Sequence, residues 1–227
     1  MDIYCLTDEA FFSRMSPQDQ VSAFMCGGAK IIQFRAKKMS DREFLSCAKK
    51  IRVMTRKAGC LFIVNDRLDI ACRVFADGVH LGQDDMKILD AKRCIEHFFA
   101  QKNHVDVKMC KNSTIFPKIF IQKSFFYIGH STHSLSQAIL AEHEGADYIG
   151  IGPVFPTQTK PDSAPIGISV VREVRKKVKI PIVAIGGITE KNVQDVLATG
   201  VRIIAMVTGI TRAESIEEAV RKAIHFY

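Results

Sequence analysis

The sequence predicts an α/β protein that folds as a single (β/α)8 TIM barrel, and three observations support this. Eight short apolar runs alternate with amphipathic stretches of helical period along the chain. Each run is almost continuously apolar, as is typical of parallel strands whose outer faces are covered by helices. Eight such pairs fit within 227 residues with short connections and no linker. This density favours a closed barrel over an open doubly wound sheet, with residues 1–227 as one domain.

The eight apolar runs are interpreted as the barrel strands, in chain order. Their lengths suit buried parallel strands better than helices. They are Ile3 to Thr7, Lys30 to Arg35, Cys60 to Asn65, Gly78 to Leu81, Phe125 to Ser131, Tyr148 to Gly152, Pro181 to Gly186 and Arg202 to Val207.

Helical signals lie between these runs. Ser16, Pro17 and Asp19 have the pattern of an N-cap, a first-turn proline and a capping acid before the first helix. In the last helix, Glu217 and Arg221 have the spacing of an ion pair. The second helix is predicted from apolar residues that recur every three or four positions and would form one buried stripe. The stripe consists of Phe44, Cys47, Ile51, Met54 and Ala58.

The segment from about residue 100 to 124 is predicted as a basic insert before strand five, because it is too long for one helix-to-strand connection. Residues 101–124 contain five lysines and one aspartate, a local surplus of 5 − 1 = 4 positive charges. An extra helix or strand, or partial disorder, would each account for its length. The insert is expected at the bottom of the barrel, remote from the catalytic end, where it would leave catalysis intact.

Composition excludes several classes of protein. With 47% apolar and 25% charged residues, the chain is typical of globular proteins and not of disordered or fibrous ones. No run approaches the roughly 20 apolar residues of a membrane helix, and no secretory signal pattern is visible, so a cytoplasmic location is expected. The seven cysteines contain no C-x-x-C pair, which indicates neither a disulfide framework nor a zinc site.

The net charge of 32 − 24 = +8 is compatible with nucleic acid, a membrane surface or anionic small molecules. No helix-turn-helix pattern and no alternation of basic and aromatic residues is visible, so solvated basic faces are expected, with no nucleic-acid or membrane partner. A nucleic-acid role, suggested only by the basic insert, would require binding with a steep salt dependence. Small-molecule substrates are the expected partners, and the oligomeric state is open.

Candidate functional residues follow the predicted strands, at the end of the barrel where chemistry takes place. Asp66 and Asp85 follow neighbouring strands, which lie about 4.8 Å apart, so their carboxylates can share one cation. Two carboxylates completed by water and substrate phosphate favour Mg²⁺. Arg35 and Lys37, predicted to alternate on strand two, and Lys160, after strand six, would suit a diphosphate. Alternatively, these residues only cap loops and pair with one another.

A second candidate feature consists of two glycine-containing strand ends. Gly186 and Gly187 follow strand seven, with Thr189 predicted to open a helix, and Thr208 and Gly209 follow strand eight. Barrels build phosphate sites from these two loops, where backbone N–H groups hold the anion. The alternative is a glycine pair needed only for a tight turn.

No nucleophile with a partnered base is evident. His80 lies within an apolar strand and is interpreted as a core residue whose hydrogen bonds are satisfied. His133 lies near Ser131 but has no carboxylate neighbour in sequence. Catalysis by charge stabilisation is therefore expected in place of covalent chemistry.

Five stretches taken together resemble the thiamine phosphate synthase family, and they cover most of the chain apart from the insert. They are Gln33 to Lys37 (QFRAK), Asn65 to Arg67 (NDR) with Ala76 to Asp85 (ADGVHLGQDD), Ser131 to Ser134 (STHS), Gly145 to Lys160 (GADYIGIGPVFPTQTK) and Ala184 to Ile188 (AIGGI).

The resemblance implies an Mg²⁺-dependent transferase. It would couple hydroxymethylpyrimidine diphosphate with a thiazole phosphate, or the carboxylated precursor of that thiazole, to give thiamin phosphate and diphosphate. Departure of diphosphate would leave a pyrimidine cation that the thiazole nitrogen attacks, with Arg35, Lys37, Ser131 and Lys160 in catalytic roles. By position, Gln33, Arg35, Lys37, Asn65, Ser131 and Lys160 would hold the pyrimidine diphosphate, Asp66 and Asp85 the metal, and Thr157, Thr159, Gly187, Val207 and Thr208 the thiazole phosphate. The resemblance leaves open whether Ser131 or His133 transfers a proton.

The chain departs from the family pattern at several positions. Ala36 replaces a usual Glu, His130 a small aliphatic residue and Thr208 a Ser, while Val201 and Arg202 stand for Ala and Asp. Two alternatives stay open. One is a thiazole tautomerase, a related barrel that would not need the diphosphate grip and the metal carboxylates. The other is a non-catalytic barrel that binds phosphorylated thiamin precursors.

Overall fold

The computed structural model describes residues 2–101, 126–157 and 164–225. Within these ranges, eight strands close into a barrel in the order β1 to β8, and every neighbouring pair is parallel. The predicted (β/α)8 barrel is therefore confirmed. The strands are β1 Asp2–Leu6, β2 Ile31–Phe34, β3 Leu61–Asn65, β4 Gly78–Leu81, β5 Tyr127–Thr132, β6 Tyr148–Ile151, β7 Ile182–Ile185 and β8 Ile203–Met206.

Helices follow the strands and cover the outside of the barrel. A single turn of 3-10 helix, Glu9–Phe11, also follows β1. The helices are α1 Pro17–Cys26, α2 Asp41–Ala58, α3 Leu68–Arg73, α4 Ile88–Gln101, α5 Leu135–Glu144, α6 Gly167–Lys177, α7 Val193–Leu197, α8 Thr208–Thr211 and α9 Ile216–His225.

Two boundaries differ from the prediction. β2 ends at Phe34, so Arg35 and Lys37 lie in the loop after the strand and do not alternate on it. Thr189 does not open a helix, because its N–H donates to the Asn192 side chain in a turn and α7 begins at Val193. The predicted insert lies outside the described residues, except that residues 100 and 101 complete α4.

Side chains alternate across each strand and separate two layers. One set packs outward against the helices, where Phe34 of β2 meets Phe44 of α2 with ring centroids 4.2 Å apart. The other set points into the barrel, as expected from the two-residue period of strands. The apolar interior consists of Tyr4, Leu6, Ile31, Leu61, Ile63, Tyr127, Tyr148, Val183, Ile203 and Ala205.

The predicted N-cap of α1 is confirmed, and α2 begins with a capping box that was not predicted. The Ser16 hydroxyl accepts a hydrogen bond from the Asp19 N–H at the start of α1. Ser40 and Glu43 form a capping box on α2, in which each side chain accepts from the other residue's backbone N–H. The predicted stripe of α2 faces the core, although its last member, Ala58, is exposed.

At the amino ends of two strands, an aspartate carboxylate accepts a hydrogen bond from a backbone N–H of the preceding strand. The Asp77 side chain, just before β4, accepts hydrogen bonds from the Phe62 N–H and from both terminal nitrogens of Arg52. The Asp147 side chain, just before β6, accepts from the Ile128 N–H. Both aspartates belong to the stretches that carried the family resemblance, and their contacts here are structural.

None of the described helices combines the length and apolar composition needed to cross a bilayer. The cysteines in the described ranges are unpaired, as expected from their spacing, and Cys110 lies outside those ranges.

Candidate active site

A cavity opens at the carboxyl ends of the strands and is called the mouth cavity below. It reaches from the interior residues Tyr4 and Tyr148 to the loops that follow the strands. It gathers residues that sequence analysis assigned to both substrates. Of those predicted residues, Gln33, Arg35, Asn65, Ser131, Thr157, Gly187, Val207 and Thr208 line it.

Asp66, Asp85 and Lys37 form a charged group at the same end of the barrel, beside the cavity and not in its lining. The Lys37 ammonium lies 3.4 Å from an Asp66 carboxylate oxygen. The Asp66 and Asp85 carboxyls are within hydrogen-bonding distance of each other. Asp85 also accepts a hydrogen bond of 2.6 Å from the Gly82 N–H, which fixes its carboxylate beneath the loop after β4.

Asp66 has an unusual backbone conformation and a carboxyl group with a raised pKa. Its φ of 62° lies in the left-handed region, which costs on the order of 1 kcal/mol or more for a residue other than glycine. Burial raises the pKa of the Asp66 carboxyl, and the adjacent Asp85 carboxyl raises it further, while Lys37 opposes the shift. The local structure therefore holds two carboxylates together against their mutual repulsion, which a hard cation would relieve.

The donor set fits Mg²⁺ better than a metal that demands a full protein cage. In the described ranges, no group of three His, Cys, Asp or Glu residues could hold a metal ion. Asp66 and Asp85 would therefore supply two oxygen ligands, and water or substrate oxygens the others, as is usual for Mg²⁺.

The loop after β2 is fixed mainly through its backbone. Thr7 and Arg35 exchange hydrogen bonds, in which the Arg35 N–H donates to the Thr7 hydroxyl and that hydroxyl donates to the Arg35 carbonyl. The Glu9 carboxylate accepts from the N–H groups of Lys37 and Lys38. Only backbone groups of Arg35, Lys37 and Lys38 form these contacts, while the Lys37 ammonium contacts Asp66.

Arg67, the last residue of the NDR stretch, anchors the same loop from β3. One of its terminal nitrogens donates to the Met39 carbonyl at 2.6 Å, and the other lies 3.0 Å from the Asp41 carboxylate. Its guanidinium also lies over the Phe44 ring, 4.4 Å from the centroid. Arg67 is therefore a positioning residue for Arg35 and Lys37.

A chain of hydrogen bonds crosses the barrel interior below the cavity. The Gln33 side-chain nitrogen donates to the Tyr4 hydroxyl at 2.8 Å, and the Tyr4 hydroxyl lies 2.9 Å from that of Tyr148. The Tyr148 hydroxyl lies 3.1 Å from Nδ1 of His80, whose Nε2 lies 3.0 Å from Oγ of Ser131. We call these five residues the interior relay.

The direction of the hydrogen bonds beyond Gln33 and Tyr4 depends on the His80 tautomer, because each tyrosine hydroxyl can both donate and accept. In either direction, His80 is hydrogen-bonded to Ser131, and Ser131 lines the cavity. Complete burial raises the pKa values of Tyr4 and Tyr148 far above the ordinary value for tyrosine, which keeps both hydroxyls protonated.

The prediction that His80 has satisfied hydrogen bonds is confirmed by its contacts to Tyr148 and Ser131. The prediction of a core position was wrong, because its side chain lies on the inward face of β4 and lines the cavity. Space for the relay comes from glycines on the neighbouring strands. A Cβ on Gly129 would lie 2.1 Å from the Tyr148 ring, and one on Gly150 would lie 3.2 Å from the His80 ring. His80 of β4 pairs with Asn65 of β3, which was a predicted site residue. This pairing is the signal that could have identified His80 as a residue that points into the barrel.

The other two histidines of this region differ in orientation. His133 lines the cavity, where its Nδ1 contacts the Gly152 carbonyl and its N–H donates to the Gln137 side chain. His130 occupies an outward position of β5 beside Gln83, and burial lowers the pKa of its imidazole.

The loops after β7 and β8 meet at the cavity, as predicted. Gly186 and Gly187 have φ values of +97° and +66°, and a Cβ on Gly187 would lie 2.5 Å from the Pro156 carbonyl oxygen. Only glycine therefore fits at position 187. Within the described residues, no oxygen accepts a hydrogen bond from the N–H of Gly187 or Thr208, so both donors are available to an anion. The predicted residues Thr159 and Lys160 lie outside the described residues.

These features define a class of protein: a phosphate-binding (β/α)8 enzyme whose mouth combines a carboxylate pair, basic side chains and available backbone donors. The family model described as thiamine monophosphate synthase (TMP-TENI) matches residues 3–99 and 118–210. The chain belongs to this family, which confirms the resemblance found in the sequence. The match leaves out residues 100–117, within the predicted insert.

Individual relatives agree with the family match. The chain is 39% identical over 221 residues to the thiamine-phosphate synthase of Chloroflexus aurantiacus, covering 97% of this chain and 89% of that protein. It is 40% identical to the one from Methanocella arvoryzae, covering 97% and 92%. The solved structure of thiamine phosphate pyrophosphorylase from Pyrococcus furiosus has a TM-score of 0.77 and 36% identity, covering 97% and 92%.

Proposed function

We propose that this chain couples hydroxymethylpyrimidine diphosphate with a thiazole phosphate, or its carboxylated precursor, to form thiamin phosphate and diphosphate. The observation that carries the proposal is the convergence of residues from six strand ends on one cavity. Binding sites for two phosphorylated molecules are needed in this reaction, and the cavity has basic side chains at one set of loops and backbone donors at another. Relatives about 40% identical carry the name of this transferase.

Mg²⁺ is proposed as the cofactor, held by Asp66 and Asp85. When bound, it would neutralise charge on the diphosphate and make that group easier to expel. The carboxylate pair supports this assignment, since its two members lie together in a partly buried position and, among the described residues, only Asp66 has a basic partner, Lys37.

The chain's own residues would stabilise the leaving diphosphate. Arg35 can contact two phosphate oxygens through its planar guanidinium, and Lys37 adds a point charge. Ser131 lines the cavity beside His80, and its hydroxyl would form a hydrogen bond to a diphosphate oxygen. Lys160 is proposed as a third cation. Departure of the diphosphate leaves a cation on the aminopyrimidine, which that electron-rich ring stabilises.

The second substrate would be held by its phosphate. The N–H groups of Gly187 and Thr208 can donate to phosphate oxygens, and Thr157 and Val207 border the same space. Thr159 is proposed to join them. Anchoring the thiazole by a distant group positions its ring nitrogen for attack on the pyrimidine cation, which lowers the entropic part of the barrier.

We also propose a cellular location and partners for the chain. A cytoplasmic location agrees with unpaired cysteines in the described ranges, since disulfides are rare in that compartment. Small phosphorylated molecules are the proposed partners, with no nucleic acid and no membrane surface.

The test is to incubate the purified protein with both phosphorylated substrates and Mg²⁺ and to follow thiamin phosphate and diphosphate. We expect the two products in equal amounts and no turnover with a chelator in excess. Binding of both ligands without diphosphate release would indicate a binding protein. Isomerisation of a thiazole precursor without the pyrimidine would indicate a tautomerase. Either result would contradict the proposal.

A further inference from the structure

A second cavity lies at the opposite end of the barrel from the mouth, and we call it the basal cavity. It is formed where the end of α6 and its link to β7 meet the link before β8, next to the first residues of both strands, Ile182 and Ile203. Its volume is about 210 Å³. Arg175, Lys179 and Arg202 line it, and the rest of the lining is apolar or glycine, with no acidic residue.

The two arginines are oriented by carbonyl groups and not by carboxylates. Nε of Arg175 donates to the Gly200 carbonyl at 3.3 Å. One terminal nitrogen of Arg202 donates to the carbonyls of Leu197 and Val201, at 3.1 and 3.2 Å. These contacts leave other N–H groups of each guanidinium available for a ligand.

The positive charge of the basal cavity is not neutralised within the described part of the chain. No Asp or Glu oxygen there lies within 4.0 Å of a side-chain nitrogen of Arg175, Lys179 or Arg202. Glu142 of α5 contacts the α6–β7 link, where its carboxylate accepts hydrogen bonds from the backbone N–H groups of Lys179 and Ile180. These backbone N–H groups stabilise the negative charge of Glu142.

The residues that directly precede β2, β4, β6 and β8 are all charged, and two of these four, Lys30 and Arg202, are cations. Asp77 and Asp147 directly precede β4 and β6, and each accepts from a backbone N–H of the preceding strand. Arg202 directly precedes β8 and occupies the corresponding place. A position that carries a structural carboxylate twice in the barrel therefore carries a cation here, beside two further cations.

We propose that the basal cavity binds a small phosphate-bearing anion. Arg175, Lys179 and Arg202 are all exposed, so water screens most of the repulsion among them, and an anion between them would gain charge-assisted hydrogen bonds. The volume exceeds the roughly 150 Å³ of a cavity that accepts benzene, so a phosphate group fits with room for part of the molecule that bears it. The site is separate from the mouth and does not depend on the proposed function.

The test measures binding of inorganic triphosphate by calorimetry, without divalent metal and at low salt. The starting protein is Arg35→Ala, in which the mouth has lost one of its phosphate contacts. We expect addition of Arg175→Met and Arg202→Met to weaken binding by about 100-fold, since each lost charge-assisted contact is worth roughly tenfold or more. Arg172→Met, an exposed arginine of α6 outside the cavity, is the matched control and should change affinity less than about twofold.

Equal affinity in all three proteins, or no binding to Arg35→Ala, would overturn the proposal. Lys179→Gln is a second test of the site, in case the double variant misfolds. No described residue accepts a hydrogen bond from the Lys179 side chain, so this substitution should leave the fold intact. It should weaken binding several-fold without a change in melting temperature. Turnover by the otherwise unaltered Arg175→Met/Arg202→Met protein should equal that of the native chain, so failure of the basal site and failure of the proposed function give different results.

Discussion

The two ends of the barrel use charged residues in different ways. At the base, Asp77 is satisfied by Arg52 and a backbone N–H, so its charge serves the connection between β3 and β4. At the mouth, Asp66 lies in a strained backbone conformation next to a second carboxylate. Charges at the amino ends of the strands mainly join elements. At the carboxyl ends, Glu9 and Arg67 also hold a loop, but Asp66 and Asp85 form a carboxylate pair that a ligand would stabilise. The basal cavity is the proposed exception at the amino ends.

Substitutions at the mouth of the barrel should have the largest effect on turnover. Asp66→Ala and Asp85→Ala should each reduce kcat by about 10²–10³-fold, because one ligand of the proposed Mg²⁺ is lost and charge on the leaving group is no longer neutralised. Steady-state kinetics over a range of Mg²⁺ concentrations would measure this. Asp84→Ala, the exposed neighbour, is the control and should retain nearly full activity. Full activity of either variant in excess chelator would exclude the metal assignment.

Substitutions in the interior relay should have the second-largest effect on turnover. His80→Ala should reduce kcat by about 100-fold, since Ser131 would lose the hydrogen-bond partner that orients its hydroxyl. Tyr148→Phe should reduce it by about tenfold through the loss of the hydrogen bond to Nδ1 of His80.

The decisive measurement is the double variant of His80→Ala with Tyr148→Phe. If the two residues act through one chain of hydrogen bonds, the double variant should be no slower than His80→Ala alone. Multiplied losses in kcat would mean that they act separately. His80→Gln, which can both donate and accept, should recover part of the activity.

At the base, the expected effect is on stability and not on turnover. Asp77→Ala should lower the free energy of unfolding by about 2 kcal/mol, because Arg52 and the Phe62 N–H lose their shared partner in a position where both side chains are at most 15% exposed. This corresponds to a fall in melting temperature of about 2–4 °C per kcal/mol for a domain of this size.

A matched control for this variant is Asp90→Ala, which removes an exposed ion pair to Arg93 and should cost less than about 0.5 kcal/mol. Loss of kcat in Asp77→Ala with unchanged melting temperature would contradict the division of roles between the two ends.

The smallest effect should come from a residue that lies at the mouth end but faces no ligand. Ser40→Ala removes the N-cap of α2 and should lower the free energy of unfolding by about 1 kcal/mol. Turnover should stay unchanged, although Ser40 lies three residues from Lys37. A thermal melt and an activity assay on the same preparation would check both parts, and Ser40→Asp should recover the lost stability.

Much of the site could be predicted because strand ends are visible in the sequence. Arg35, Gly187 and Thr208 were found from their position at or just after the ends of apolar runs, and Asn65 and Ser131 were implied by the family resemblance. The barrel brings all five to one cavity. The prediction that Arg35 and Lys37 lie on the strand was wrong, since the Thr7 and Glu9 contacts that hold their loop come from a distant part of the chain.

The interior relay could not be predicted in the same way. Tyr4 and Tyr148 are separated by 144 residues, and each would pass as an ordinary core aromatic. Their hydroxyls meet only because β1 and β6 face each other across a closed barrel and Gly129 leaves space for the Tyr148 ring.

The sequence by itself determined the alternation of strands and helices, the helix caps and the polar residues that end each strand, because these depend on neighbours a few positions away. Only the tertiary structure decided which side chains face inward, which carboxylates meet and where three cations gather at the base. Those properties depend on barrel closure and strand register, which bring together residues far apart in the chain, and a one-residue shift of register would reverse them.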